Sequence, residues 1–304
     1  MREASEMRGI MVPIATPLTD TEDVDQAAMR RLTRYILDGG VTGIFVMGSC
    51  GEFVRMNADK WQKAVDAVME ETAGGAPVFV GISDAGTRLV REKARRAEAA
   101  GADAVVATPP YYFAVSQEEM VDFFGEVAAA TRVPLILYNI PKTTHATIAV
   151  ETVFEMSEVD GVLGIKDSSG DVDALRRMLA RFRDRKDFLV YVGDESAMLT
   201  GFSEGADGGV PSTANVAPRL LADLFEAADA GRAEEAKSCF DALVQLRDVF
   251  NGCTDNGMGW LIGRKASLEL MGICPGRCAA PAVRLTAEKR DELRQALRRQ
   301  GLID

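Results

Sequence analysis

Histidine is nearly absent: His145 is the only one in 304 residues. That removes most imidazole metal sites and leaves a cysteine or serine nucleophile without the usual base nearby. The five cysteines, Cys50, Cys239, Cys253, Cys274 and Cys278, are odd in number and irregular in spacing, which speaks against a disulfide framework. Cys274 and Cys278 are too few and too far apart for a zinc site, so all five read as reduced thiols. No apolar run approaches the roughly 18 residues that cross a bilayer, and the first residues, MREASEMRGIMVP, lack the apolar core of a signal peptide. Positive charge is in deficit as well, with a net charge of −11 and hence no cationic footprint for nucleic acid or anionic membrane. We expect a cytoplasmic protein with neither kind of partner.

What is present is a globular composition, 47% hydrophobic and 27% charged, which excludes a disordered chain. Short β-branched apolar runs alternate with charged segments of helical period, repeating about every 25 to 35 residues. The runs predict eight strands, at 10–16, 43–48, 77–82, 104–108, 134–139, 162–166, 188–192 and 208–211. Helices are expected at 25–38, 57–71, 87–100, 116–131, 147–157, 171–183, 196–204 and 217–228. Ser116 with Glu119 three residues later forms a capping box, and Gly40, Gly101, Gly161 and Gly205 stop helices ahead of strands. Eight β/α units close naturally into a TIM barrel, the expected α/β fold, with an open doubly wound sheet as the alternative. The barrel would occupy 1–228, and 229–304 would form a C-terminal helical extension with helices at 233–250, 261–271 and 286–300.

A barrel of this kind carries its active site at the C-terminal ends of its strands, so polar residues that end apolar runs are the informative ones. Lys166 ends Val162-Leu163-Gly164-Ile165. Burial disfavours an ammonium, and the neutral amine attacks carbonyls, so Lys166 is a candidate nucleophile; an ion pair with Asp167 is the structural alternative. Tyr138 in Tyr138-Asn139-Ile140-Pro141 closes the preceding run, where a phenol can shuttle a proton or simply sit at the rim of the core. In Gly48-Ser49-Cys50-Gly51-Glu52, two glycines bracket a hydroxyl and a thiol, a turn whose N–H groups can approach a carboxylate or merely join strand to helix.

Taken in order, these motifs resemble the dihydrodipicolinate synthase and N-acetylneuraminate lyase superfamily over essentially the whole chain. Also matching are Pro13-Ile14-Ala15-Thr16-Pro17-Leu18, Thr108-Pro109-Pro110-Tyr111-Tyr112, Gly193-Asp194, Gly205-Ala206-Asp207-Gly208-Gly209, Asn215-Val216-Ala217-Pro218 and Lys265-Ala266. The resemblance implies a pyruvate-handling class I lyase that needs no metal or cofactor and assembles as a homo-oligomer, a tetramer or dimer. Lys166 would carry the Schiff base to a 2-keto acid, and Tyr138 would be the general acid/base. Ser49 falls where the family places the hydroxyl of a proton relay, and Tyr112 where a neighbouring subunit lends it a tyrosine. The turn at Ser49 and Cys50 would hold the substrate carboxylate, and Val210 would flank the pyruvyl group.

Departures bear on the substrate. Dihydrodipicolinate synthases usually place an arginine two residues after the proline of the Tyr-Asn-x-Pro motif, to hold the carboxylate of aspartate semialdehyde; here that position is Thr143, and the adjacent Lys142 does not reproduce a bidentate guanidinium. Ser49, Ser168, Asp194, Glu195 and Ser212 resemble the sugar-acid lyases, which present oxygens to substrate hydroxyls, although loop and cap roles fit Ser168 and Glu195 equally. The leading expectation is therefore cleavage or formation of a 2-keto-3-deoxy or 4-hydroxy-2-keto acid from pyruvate and an aldehyde. Dihydrodipicolinate synthase is the alternative, and a catalytically silent keto-acid-binding barrel is a third.

Overall fold

The computed structural model describes residues 2–304. Eight parallel strands, β1 (Gly9–Pro13), β2 (Gly43–Val46), β3 (Val78–Gly81), β4 (Ala104–Ala107), β5 (Leu135–Asn139), β6 (Val162–Asp167), β7 (Leu189–Val192) and β8 (Gly208–Gly209), pair in chain order, and β8 returns to β1 to close a barrel. Helices α1 (Gln26–Asp38), α2 (Ala58–Thr72), α3 (Thr87–Ala100) and α4 (Gln117–Ala128) connect the first five strands. After β5 come a single turn, α5 (Pro141–Thr144), and α6 (Val150–Met156); α7 (Val172–Phe182), α8 (Met198–Ser203) and α9 (Pro218–Asp229) complete the ring. The tail adds α10 (Ala233–Asn251), α11 (Gly259–Leu270) and α12 (Ala287–Arg299). The TIM barrel with helices after it is the expected architecture.

The expected punctuation forms. Ser116 and Glu119 make the reciprocal capping box, and Gly40, Gly101, Gly161 and Gly205 take left-handed φ of 81°, 88°, 85° and 96°. Two element ends differ from expectation for a readable reason. The 10–16 run leaves the sheet at Pro13 because, two residues on, Ala15 donates its N–H to Asn215 Oδ1 at 2.8 Å, a side chain in place of a neighbouring strand. The helix expected at 147–157 starts only at Val150; ahead of it, Pro141 opens the unforeseen turn α5, with its fixed φ suited to a first helical position.

Alternation along each strand divides the core. Ile44 and Val46 face the helices and belong to the same outer core as Trp61, Val80 and Phe124, whereas Phe45 belongs to the inner one with Met11, Phe79, Tyr138 and Tyr191. A 3₁₀ turn at Ala4–Met7 plugs the N-terminal end, where Tyr191 donates its hydroxyl to the Met7 carbonyl at 2.7 Å. Each fully buried large side chain contributes roughly 1.5–3 kcal/mol. The other end is left open.

The strand ends there are held tightly. Met47, just past β2, is left-handed (φ 59°), and its carbonyl lies where a Cβ on Gly81 would be, at 2.0 Å. The Gly81 carbonyl in turn accepts from Trp61 Nε1 at 2.9 Å. Only glycine at 81 lets β3 approach the Met47–Gly51 turn this closely. Gly81→Ala is expected to lower stability by about 1–3 kcal/mol in chemical denaturation, through overpacking of this contact; a variant as stable as the parent would show that the turn can move aside freely.

Candidate active site

Register decides which polar residues meet at the open end. Parallel pairing of β5 with β6 sets Tyr138 beside Lys166 and Asn139 beside Asp167. Alternation then sends the first pair inward and the second outward. On the outer side Asp167 accepts from Asn139 Nδ2 at 2.7 Å and Ser169 Oγ at 2.8 Å; burial raises its carboxyl above the ordinary range, and those hydrogen bonds oppose the rise. The acid next to Lys166 in the chain is thus taken by other donors. Among the described residues the fully buried ion pairs are Arg264–Glu195 and Lys265–Glu52, and neither involves Lys166. Instead Lys166 Nζ lies 3.8 Å from the ring centre of Tyr138 and 5.1 Å from that of Phe45. The Tyr138 hydroxyl is 3.4 Å from Ser49 Oγ. An amine, a phenol and an alcohol therefore adjoin without an intervening acid.

Ser49 and Cys50 sit in the turn after β2, closed by Gly51 N–H to Gly48 O at 3.0 Å and Glu52 N–H to Ser49 O at 3.1 Å. Cys50 is buried, which pushes its thiol up to about 11 against the opposing pull of Lys166 and Arg264. It is a neutral thiol at physiological pH, not a nucleophile. Beneath the turn, Glu52 is held left-handed (φ 56°) and accepts from Lys265 Nζ at 2.8 Å, Arg55 Nη1 at 2.9 Å and Ala279 N–H at 2.9 Å. Lys265 also donates to the Thr16 carbonyl at 2.8 Å, and Thr16 Oγ1 to the Gly51 carbonyl at 2.9 Å. Both partners of the Lys265–Glu52 pair are 1% exposed.

Ser49, Cys50, Tyr138 and Lys166 line one cavity of about 640 Å³, which also includes Ser168, Val210, Ser212, Thr143, Asp194 and Glu195. Its volume exceeds what a three-carbon acid needs and fits a ligand of ordinary metabolite size. Glu195 receives four hydrogen bonds: Ser212 Oγ at 2.9 Å, Thr213 N–H at 2.7 Å, Thr213 Oγ1 at 3.0 Å and Arg264 Nη2 at 2.8 Å. That is about the full acceptor capacity of a carboxylate, so Glu195 orients Ser212 and leaves the serine lone pairs facing the cavity. Asp194 accepts from Ser196 Oγ at 2.6 Å and lies 3.6 Å from Lys142 Nζ; burial alone would raise its carboxyl, but the Ser196 hydrogen bonds and Lys142 bring it below the ordinary range. Thr143 Oγ1 donates to the Ile140 carbonyl at 3.3 Å. Tyr112 is outside the cavity of its own chain, 77% exposed and edge-on to Phe113, while Tyr111 lines a smaller pocket of about 190 Å³ adjoining Ser49. His145, at the end of α5, is exposed.

Sequence reasoning missed the contribution of the tail, from which Arg247, Asn251, Trp260 and Arg264 reach the cavity wall. A signal was there: Arg264-Lys265 interrupts the otherwise apolar face of Trp260, Leu261, Ile262, Ala266 and Leu268, and both cations are buried.

The model of the Dihydrodipicolinate synthetase family matches residues 6–300. The chain belongs to this family. Among curated relatives, the 4-hydroxy-tetrahydrodipicolinate synthase of Thiobacillus denitrificans is 33% identical over 304 residues, covering 100% of both chains, and that of Pseudomonas aeruginosa is 31% identical over 296 residues, covering 97% of this chain and 99% of its own. Among solved structures, dihydrodipicolinate synthase from Bacteroides thetaiotaomicron superposes with a TM-score of 0.93 at 32% identity, over 98% of this chain and 100% of that one. YagE, a prophage protein of the dihydrodipicolinic acid synthase family from Escherichia coli K12 solved in complex with pyruvate, gives 0.91 at 25% identity, over 97% and 99%. Members of the dihydrodipicolinate synthetase family are pyruvate-dependent lyases and aldolases, and the chain is an enzyme of that class.

Two outcomes follow from the turn. Breaking one side of the buried pair, by Lys265→Met or Glu52→Gln, is expected to cost about 3–5 kcal/mol, and the double variant much less than the sum; additive losses in a double-mutant cycle would show no coupling. Alkylation at pH 8 followed by mass mapping is expected to leave Cys50 unmodified in the folded protein, because its thiol ionises only near 11; labelling at the rate of a free thiol would contradict the neutral state.

Proposed function

We propose that the enzyme is a class I aldolase that cleaves a 2-keto-3-deoxy or 4-hydroxy-2-keto acid to pyruvate and an aldehyde, or forms it from them, through an imine on Lys166. The observation that carries this reading is the acid-free contact of the Lys166 amine with Tyr138, whose hydroxyl meets Ser49. The neutral amine attacks the C2 carbonyl and Tyr138 gives its proton to the departing oxygen, so that water leaves behind a protonated imine and a Tyr138 phenolate. Tyr138 takes the proton of the C4 hydroxyl, the C3–C4 bond breaks, and its electron pair moves into the imine to form an enamine while the aldehyde departs. Protonation at C3 and hydrolysis release pyruvate and return the amine. These steps balance without an external oxidant or reductant.

The remaining assignments follow the same logic. The Ser49–Cys50 turn would take the keto-acid carboxylate, on backbone N–H groups more than on the weak thiol donor. Val210 would pack against the pyruvyl methyl. Ser168, Ser212 and Asp194, with Glu195 behind them, would face the hydroxyls of the aldehyde half, and Thr143 stands where an arginine would hold aspartate semialdehyde. Tyr112, too exposed to serve its own cavity, would complete the relay of a neighbouring copy in a homo-oligomer. Condensation of pyruvate with aspartate semialdehyde is the second reading, favoured by the names of relatives at about one-third identity.

Pyruvate with borohydride is expected to add irreversible mass on Lys166 and on no other lysine. Lys166→Ala should abolish both adduct and turnover, whereas Tyr138→Phe should keep the adduct and lower kcat by about 10²–10⁴. Absence of an adduct under saturating pyruvate would overturn the imine mechanism, and efficient turnover with aspartate semialdehyde but with no hydroxylated aldehyde would replace the first reading by the second.

A further inference from the structure

The charges that line the cavity do not balance. Lys142, Lys166, Arg247 and Arg264 face it against only Asp194 and Glu195. Each carboxylate is already matched, Glu195 by Arg264 at 2.8 Å and Asp194 by Lys142 at 3.6 Å. On the aldolase reading Lys166 carries the imine, and the carboxylate of the keto acid answers that one positive charge. Arg247 is left over. It projects from the last turns of α10, with Asn251 one helical turn further along the same face and also on the cavity wall. Its side chain is 23% exposed, and its only acid is its chain neighbour Asp248, whose carboxylate is 62% exposed and outside the cavity lining. Nε and Nη2 both go to Asp248 Oδ1, at 3.1 and 3.0 Å, so the Nη1 side of the fork has no protein acceptor among the described residues. A solvent-screened pair of this kind holds its partners weakly and can be shared or exchanged. The exterior is strongly acidic, so a cationic surplus confined to the cavity mouth is a local feature and not a consequence of composition.

We propose that Arg247, with the Asn251 amide beside it, binds a terminal oxyanion on the aldehyde half of the substrate, so that the keto acid handled here carries an anionic group at each end. This rests on the aldolase reading above and specifies its substrate class. A planar guanidinium engages a carboxylate or a phosphate oxygen pair, and both ends of such a substrate would then be charge-matched, one at the Ser49–Cys50 turn and one at α10. Neutral polyhydroxylated aldehydes lack the second contact.

The test is the condensation reaction of pyruvate with three short aldehydes: glyceraldehyde, glyceraldehyde 3-phosphate and succinic semialdehyde, assayed with the parent enzyme, Arg247→Gln and Arg247→Lys. The expected result is a kcat/KM higher for a charged aldehyde than for glyceraldehyde. Arg247→Gln should cut that charged-to-neutral ratio about tenfold, Arg247→Lys should cut it less, and the preference should weaken as salt rises. The anion whose ratio falls more identifies the natural terminus as phosphate or carboxylate. A ratio unmoved by Arg247→Gln, with pyruvate still trapped by borohydride on Lys166, overturns this inference alone. No trapped pyruvate in the parent enzyme overturns the aldolase reading and this inference together.

Discussion

A single buried ion pair, Lys265 with Glu52, joins the parts of the molecule that the chemistry requires. Removing two such charges from water costs several kcal/mol for each ion, and attraction alone does not reliably repay it. Here further hydrogen bonds add to the attraction: Lys265 reaches the Thr16 carbonyl as well as Glu52, and Glu52 collects Arg55 and the Ala279 N–H. One pair therefore binds the end of β1, the turn carrying Ser49 and Cys50, helix α11 and the segment before α12. The tail is not an appendage of a finished barrel. Without α11 the Ser49 turn would lose its floor, and the left-handed conformation at Glu52 would lose its buried cation.

The second buried pair performs the same service on another stretch of the wall. Arg264, the residue before Lys265, crosses to Glu195 and Thr213 while its other terminal nitrogen returns to the Trp260 carbonyl at 2.6 Å. Consecutive residues on one helix thus brace the turn after β2 and the loops after β7 and β8. Because Glu195 is filled by four donors, the hydroxyl of Ser212 is fixed as a donor toward the protein and an acceptor toward the cavity. Polarity at this wall is set by the hydrogen-bond partners behind it.

The fold was legible in the sequence because parallel strands buried on both faces become continuous apolar runs, and because glycines and capping residues mark where helices stop and start. The mouth residues Ser49, Tyr138 and Lys166 were legible for the same reason: each is a polar break at the end of such a run. What was not legible depended on contacts distant in sequence. The β1 ladder ends beside Asn215, 200 residues away from Ala15. Glu195 looked like a substrate contact because its four donors lie on two distant segments, Ser212–Thr213 and α11. The burial of Arg264 and Lys265 was hidden, although Lys265-Ala266 was noted, because a helix exposes adjacent residues to different neighbours and nothing local says which of them will be buried. Tyr112 illustrates the opposite case: its motif is clear, yet within one chain it is exposed and outside the cavity lining.

The electrostatic arrangement has a consequence for how substrate arrives. An acidic exterior repels small anions at long range, so a keto acid gains nothing from the protein's net charge until it nears the mouth. There the surplus cations sit over the low-dielectric barrel interior, where the field is focused and screened less than at the surface. Lys142 and Arg247 reach the lining from different elements, the turn after β5 and α10. An anion entering between them meets attraction that increases toward Lys166, which itself stays free of any carboxylate that would hold it as a paired ammonium. The two buried pairs make this possible: by neutralising Glu52 and Glu195 in place, they keep nearby acids from competing with the substrate for the lysine.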